Sequence, residues 1–181
     1  MTQHTNLDHL RYPVGKYHKP EIISAEQRAE WIGQIAAFPR ALRDVVGPLT
    51  PNQLDTPYRP GGWTVRQLVH HIADSHANAY IRFKLAITEL NPTIKPYEEA
   101  LWAELADSKE PVEYSLQILE ALHHRWVVVL KAMTEADFKK TYHHPEYKTD
   151  SALEGVLGMY AWHGAHHLAH ITELIKRGFK V

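Results

Sequence analysis

The chain has 181 residues, a formal net charge of −1 and no cysteine. This length suits one domain with its own hydrophobic core, and the absence of thiols excludes disulfides, zinc–thiolate sites and a cysteine nucleophile. The near-neutral charge argues against nucleic acid as a partner. No run approaches the roughly 18 apolar residues of a membrane span, and the polar N-terminus lacks the apolar segment of a signal peptide. We therefore expect a cytoplasmic protein with no membrane partner.

The N-terminal part of the chain is predicted to be an extended arm followed by a helix. Residues 1–22 contain Pro13, Gly15 and Pro20 among polar and aromatic residues, a composition that favours an arm lying on the body of the protein. Ser24 begins a capping pattern before apolar residues at helical spacing. Pro39 should kink this first long helix or start a new turn.

The rest of the chain predicts three more long helices. A connector over 49–63 holds three prolines and a Gly-Gly pair, and Thr64 then opens a second capping box. In chain order the sequence predicts a long helix from 64 to about 90, a short one over 97–106, a long one over 112–133, a loop over 134–150, and a last long helix from 151 to about 176.

Four long amphipathic segments without a convincing alternating strand predict an all-α bundle. We expect a single domain over residues 1–181, in which residues 1–22 form the arm and residues 23–181 form the helical bundle.

The segment AWHGAHHLAH, residues 161–170, places four histidines in ten residues of the last helix. At about 100° per residue, His167 falls within the apolar arc and His163 at its edge, whereas His170 lies further out and His166 points the opposite way. Imidazoles four residues apart stand one turn above each other and can bind one ion. Amphipathicity therefore favours His163 and His167 as ligands, because bundle sites are built from inward-facing side chains.

A third ligand is available on the second long helix, in VHHIADSH. His76 falls within the apolar arc of that helix, His71 on its flank and His70 on its far side. Periodicity nominates His76 before His71 and leaves the choice open. Solvated or hydrogen-bonded surface positions are expected for His123, His124, His143, His144, His166, His170 and the N-terminal histidines. His166 and His170 are either bystanders or neighbours of the ligand histidines.

Three segments together resemble a known family: GGWTVRQLVHHIADSHANAYIRFKL, KPYEEALWAEL and YAWHGAHHLAHITEL. The chain is similar to the DinB superfamily and, more closely, to its YfiT-like metal-dependent hydrolases, from about RYPVGKY to the C-terminus. The resemblance implies a DinB-like four-helix bundle, a homodimer, and one divalent metal per subunit held by His71, His163 and His167. It prefers His71 to His76, since a ligand on the flank of the apolar arc suits a site that opens into a groove.

Three imidazoles leave an open position on the metal, as catalytic zinc sites do. Zinc is the expected ion and nickel the alternative, because imidazole suits both. Two reactions on a small-molecule substrate fit: hydrolysis by a water that the metal activates, or transfer of a low-molecular-weight thiol, bacillithiol-like, bound as its thiolate. A non-catalytic metal-binding protein is the third interpretation. The zincin signature HExxH is absent.

The sequence identifies no general base. Asp74 is either a carboxylate that orients an imidazole or a solvated residue of the helix surface. Arg82 is either a contact for an anionic substrate or half of a surface ion pair. Trp102, Trp126 and Trp162 are more simply explained as core packing than as the walls of a cavity.

Overall fold

The structure is a computed structural model, and it describes residues 8–181. The described part holds four long helices, four short ones, one 3₁₀-helix and one hairpin. In chain order these are α1 (Asp8–Arg11), α2 (Ala25–Val46), α3 (Pro51–Leu54), α4 (Val65–Thr88), α5 (Glu99–Trp102), the 3₁₀-helix (Ala106–Lys109), α6 (Glu113–Ala132), α7 (Glu135–Lys139), β1 (Thr141–His144), β2 (Thr149–Ala152) and α8 (Leu153–Lys176).

The starts of two long helices follow from their capping residues. The Ser24 side chain accepts a hydrogen bond from the Gln27 N–H at 3.2 Å, and Thr64 forms a reciprocal capping box with Gln67. Each cap satisfies backbone N–H groups that have no partner inside the helix. The predicted helix starts are thus confirmed within one or two residues.

Pro39 lies inside α2, which runs without a break from Ala25 to Val46. The prediction that a new turn begins there is wrong. The Pro39 ring is buried, so the packing that it gains offsets the backbone hydrogen bond that proline cannot donate.

The predicted loop over residues 134–150 is wrong in part, because it contains α7 and most of a β-hairpin. Strand β1 pairs with β2 in antiparallel register, with Thr141 opposite Ala152 and His144 opposite Thr149. Four-residue strands are too short to show a clear alternation in the sequence. The predicted helix over residues 97–106 is also shorter, since only Glu99–Trp102 is α-helical.

The four long helices form a square bundle. Helix α2 packs mainly against α6 and α8, and α4 packs against the same two, so α2 and α4 lie on opposite corners. The all-α four-helix bundle is therefore confirmed. The arm contains α1 and then runs along α8, where the Tyr17 hydroxyl donates to the Gly155 carbonyl at 3.0 Å. Residues 1–7 of the predicted arm lie outside the described residues.

The core is divided into two apolar clusters with histidines between them. One cluster surrounds Trp126 and the other surrounds Leu119, and both are fully buried residues of α6. His123 lies between Leu119 and Trp126 on α6, and it is hydrogen-bonded to His76 on α4, which in turn contacts His163 on α8. The bundle therefore has a polar layer at mid-height, and that layer adjoins the candidate site. No helix of residues 8–181 has the length and apolar character needed to cross a membrane.

Candidate metal centre

Three histidines from two helices converge beside the polar layer. His163 and His167 stand one turn apart on α8, and their Nε2 atoms are 3.1 Å apart. The His71 ring on α4 lies 5.6 Å from the His163 ring and 5.2 Å from the His167 ring, centroid to centroid. One ring nitrogen from each histidine falls within 4.8 Å of the other two. The structure thus brings together the three side chains that the resemblance selected.

Burial keeps these three imidazoles neutral. It lowers the pKa of His71 to about 4 and holds the pKa values of His163 and His167 well below the usual range. For His163 and His167, the neighbouring histidines lower the pKa further. At pH 7 each ring therefore offers an unprotonated nitrogen, which is the form that binds a metal ion.

His76, the alternative third ligand, contacts the other side of His163. Its Nε2 lies 3.1 Å from His163 Nδ1, and its Nδ1 lies 2.7 Å from His123 Nε2. His123 Nδ1 in turn lies 2.7 Å from the Ile35 carbonyl oxygen. His76 is thus hydrogen-bonded on both nitrogens and is not part of the group that converges with His71.

The Ile35 carbonyl determines the tautomer of every ring in this chain of histidines. A carbonyl only accepts, so His123 must carry its proton on Nδ1 and accept at Nε2. His76 then donates from Nδ1 and accepts at Nε2, and His163 donates from Nδ1. The result is an unprotonated Nε2 on His163, 3.1 Å from His167 Nε2, whose lone pair can accept a hydrogen bond or bind an ion. A ligand histidine normally has such a partner on its second nitrogen, which orients the ring.

His123, predicted at the surface, is buried, because the Phe38 ring shields it and His76 from solvent. The Phe38 ring stacks on His123 with a centroid distance of 5.7 Å and lies 5.4 Å from His76. A Cβ on Gly164 would lie 3.0 Å from the Phe38 ring. The glycine within α8 therefore admits the ring that covers the hydrogen-bonded histidines.

The predicted surface positions of His166 and His170 are also wrong, since both rings are buried. His170 Nε2 donates to the Arg11 carbonyl at 3.1 Å and stacks on Tyr58 at 4.2 Å, and His166 stacks on Trp162 at 4.5 Å. A helical wheel counts this face of α8 as solvent, but the arm and the connector cover it. His144, on β1, is buried as well, whereas His124 is exposed and His143 binds Asp150 on the hairpin.

A cavity of about 670 Å³ opens beside the three histidines, and all three line it. Seven tyrosine and tryptophan side chains from the arm, the connector, the 91–98 segment, the hairpin and α8 form much of its wall: Tyr17, Trp63, Tyr97, Tyr142, Tyr147, Tyr160 and Trp162. The Trp63 ring contacts His71 at 4.7 Å between centroids. A volume of this size accommodates a small organic molecule. Of the three tryptophans singled out in the sequence, Trp126 is core, Trp102 is partly exposed against Tyr97, and Trp162 lines this cavity.

Comparison with known proteins agrees with the fold. The family model of the DinB superfamily matches residues 34–171. The chain belongs to the DinB superfamily. A Bacillus pumilus protein named "putative metal-dependent hydrolase" is 55% identical over 168 residues, which are 93% of this chain and 96% of the relative. A Bacillus cereus relative of the same name is 54% identical over 171 residues, 94% of this chain and 98% of its own.

A solved structure of this DinB group has the same architecture. YfiT from Bacillus subtilis, described as a probable metal-dependent hydrolase with an unusual four-helix bundle topology, superposes with a TM-score of 0.92 at 50% identity. The match covers 95% of this chain and 99% of YfiT. These relatives carry names that involve a metal, and the structure of this chain has three histidines that could hold one.

Proposed function

We propose that this protein is a metal-dependent hydrolase of a small molecule, with one divalent ion held by His71, His163 and His167. The observation that carries the proposal is the meeting of three neutral ring nitrogens within 4.8 Å at the wall of the cavity. The donor set fits the ion, because three imidazoles without a fourth protein ligand are typical of catalytic zinc sites. We propose zinc as the ion, and nickel is the alternative with the same preference for imidazole.

A bound divalent ion would supply Lewis acidity, which lowers the pKa of a coordinated water to about 7. The protein's own residues would hold and shield that site. The His76–His123–Ile35 chain keeps the His163 lone pair in place, and the aromatic wall around Trp63 and Tyr160 restricts access of bulk water. None of these groups is assigned as the general base.

The first experiment measures the metal in protein purified without a His tag. We expect about one divalent ion per chain in the wild type, and a loss of bound metal in His71→Ala, His163→Ala and His167→Ala, because each removes one of three donors. His124→Ala is the matched control, since His124 is exposed on α6. Full metal occupancy in His71→Ala would overturn the assignment of the site.

The second experiment measures turnover with the metal-loaded protein on a panel of esters and amides, with and without a low-molecular-weight thiol. Hydrolysis that needs the metal but not the thiol, and that falls at least ~100-fold in His71→Ala, supports the proposal. Activity only with thiol would identify a thiol S-transferase of the bacillithiol-like kind instead. Metal binding with neither activity would leave a non-catalytic metal-binding protein.

We also propose that the chain is a single domain that forms a cytoplasmic homodimer. Support for the dimer comes from α6, where three large apolar residues are exposed on one side of the helix: Tyr114, Ile118 and Val128. Exposed apolar side chains that cluster on one surface are typical of protein interfaces. Light scattering should give twice the chain mass, and Ile118→Glu should give monomers that still bind metal.

A further inference from the structure

Arg82 on α4 is a buried cation without a carboxylate partner. It is only 9% exposed, yet none of the ion pairs within 4.0 Å among residues 8–181 includes it. Its hydrogen bond to protein backbone is a long one, from Nη2 to the Lys95 carbonyl at 3.3 Å. Arg28, which is equally buried, pairs with both Glu135 and Glu154. A buried charge is costly unless it is paired, so Arg82 calls for an explanation that Arg28 does not.

The groups around the Arg82 guanidinium are uncharged: they are three tyrosine hydroxyls and the ring of His144, whose pKa burial and the Arg82 charge both lower. Arg82 contacts the hydroxyl groups of Tyr142 and Tyr160, and Tyr97 lies close enough for the positive charge of Arg82 to act on its hydroxyl. Burial raises the pKa of Tyr97 and Tyr142 to about 12 and also raises that of Tyr160, despite the nearby cation. The hydroxyls of Tyr97 and Tyr142 can donate hydrogen bonds to an anion beside Arg82, whereas the Tyr160 hydroxyl donates to the Ser75 carbonyl at 3.3 Å. None of the three neutralises the charge of Arg82.

Arg82 shares one cavity and one helix face with His71. Both line the cavity of about 670 Å³, as does Ser75 between them. Eleven residues of α-helix rotate the chain by three turns and about 20°, so His71 and Arg82 lie on the same face, about 16 Å apart along the axis. Side chains of a helix lean toward its N-terminus, which directs Arg82 back toward the histidines. A molecule that fills this cavity can therefore contact both side chains.

Other charged residues of the lining do not supply the missing anion. The carboxylates among the described lining residues are Glu99 and Asp150, and both are exposed. Asp150 is held by His143 Nδ1 at 2.7 Å on the hairpin. The partner of Arg82 is then expected to come from the ligand.

We propose that Arg82, together with the hydroxyls of Tyr97 and Tyr142, binds the carboxylate or phosphate group of an anionic small-molecule substrate. The placement of the substrate's reacting group at the three histidines rests on the proposed function, but the anion site itself does not. Arginine suits this purpose, because its planar guanidinium donates two parallel hydrogen bonds to either group.

The test uses full-length protein from which metal has been removed with a chelator, so that the ion does not bind the probe itself. Succinate and inorganic phosphate are titrated at constant ionic strength, and binding is followed by calorimetry and by the NMR signal of the Arg82 Nε–H group. We expect saturable binding of at least one probe in the wild type, and an affinity at least tenfold weaker in Arg82→Gln. Arg40→Gln is the matched control, because Arg40 is 89% exposed, and it should bind as the wild type does.

The probe with the higher affinity shows whether the site prefers a carboxylate or a phosphate group. Equal affinity in the wild type and Arg82→Gln, or no saturable binding of either probe, would overturn the proposal. If Arg82→Gln does not fold, Arg82→Lys provides the comparison: it keeps the charge but loses the paired donors, and it should bind more weakly than the wild type. The probe should raise the melting temperature of the wild type but not that of Arg82→Gln.

His71→Ala separates this inference from the proposed function. We expect His71→Ala to lose the metal and to keep the anion affinity of the wild type within about twofold. If the wild type binds no metal but does bind the anion, the proposed hydrolase is wrong and the Arg82 site is supported. If the wild type binds the metal but not the anion, the metal site is supported and Arg82 is not the anion contact.

Discussion

The interior histidines divide by what each ring nitrogen contacts. His71, His163 and His167 each place one nitrogen within 4.8 Å of the other two. His76 lies instead between His163 and His123, and His123 between His76 and the Ile35 carbonyl. His123 is some distance from the converging group, but it determines through His76 which nitrogen of His163 is bare. We therefore expect substitution of His123 to change the metal site without removing a ligand.

Breaking the chain of hydrogen bonds that runs from His163 through His76 and His123 to the Ile35 carbonyl should weaken metal binding. His123→Leu removes the acceptor for His76 Nδ1–H and the donor to the Ile35 carbonyl, so the His163 ring loses its orientation. Loss of such an outer partner typically costs about 10–100-fold in metal affinity. Competition with a chelator would measure this loss, and the visible spectrum of the cobalt-substituted protein would report the change in geometry.

His123→Gln is the matched variant, because its amide donates to a carbonyl and accepts from an imidazole N–H. It should recover part of the affinity that His123→Leu loses. An affinity for metal in His123→Leu equal to that of the wild type would show that these hydrogen bonds serve the fold alone.

Asp74 provides a prediction about pH. Partial burial, with the nearby charge of Asp107, raises the pKa of Asp74 to about 6, above its usual 3.8. A raised carboxyl pKa disfavours the folded state once the group is ionised, so this cost is absent below pH 3.8 and complete above about pH 6. Asp74→Asn should therefore raise the melting temperature of the metal-free protein more at pH 8 than at pH 5. An equal change at both pH values would contradict the raised pKa.

At the scale of the element, α8 shows how glycines allow close packing. A Cβ on Gly158 would lie 2.7 Å from the Trp31 ring and 2.8 Å from the Tyr17 hydroxyl. Gly33 on α2 has no atom within 4 Å of the same position. The two helical glycines thus have the same backbone conformation and opposite surroundings.

Alanine at these two glycines should have opposite effects on the free energy of unfolding. Gly158→Ala should lower the free energy of unfolding by about 1–3 kcal/mol, because the added methyl group forces Trp31 and the arm away from α8. Gly33→Ala should raise it by about 0.5–1 kcal/mol, since alanine loses less backbone entropy in a helix. Urea denaturation measures both. A stabilising Gly158→Ala would show that the arm does not pack on α8 as described.

In the whole molecule, the buried histidines make the free energy of unfolding depend on pH. Burial lowers the pKa of nine histidines: His70, His71, His76, His123, His144, His163, His166, His167 and His170. In the unfolded chain each titrates near 6.5. A lowered pKa means that the unfolded state binds protons first, so the stabilisation is complete above about pH 6.5 and is lost as the pH falls toward 4.

The whole-molecule prediction is a steep loss of stability between pH 6.5 and 4. The melting temperature of the metal-free protein should fall throughout this interval, because several buried rings must remain neutral together. Added zinc should raise the melting temperature at pH 7.5 and lose this effect as the pH falls, since protons compete for the same nitrogens. A melting temperature that is flat from pH 7 to 5 would contradict the lowered pKa values.

Local features of the sequence determined much of the fold. The caps at Ser24 and Thr64 and the apolar periodicity predicted the four long helices, because each signal acts within one or two helical turns. The relation of His163 to His167 is equally local, since residues four apart share a helix face in any helix. The short strands of the hairpin were not predicted, because pairing between strands and not local pattern forms them.

Tertiary structure decided everything that depends on how distant segments meet. Helical periodicity favoured His76 over His71, but the rotation of α4 against α8 directs His71 toward the converging group and His76 toward His123. The arm buries His166 and His170 on a face that a helical wheel assigns to solvent. From the sequence, Arg82 is either a contact for an anionic substrate or half of a surface ion pair. Only packing shows that it is removed from water without a counter-charge, so the surface ion pair is wrong. A helix sets its own spacing, whereas burial and pairing depend on which other segments pack against it.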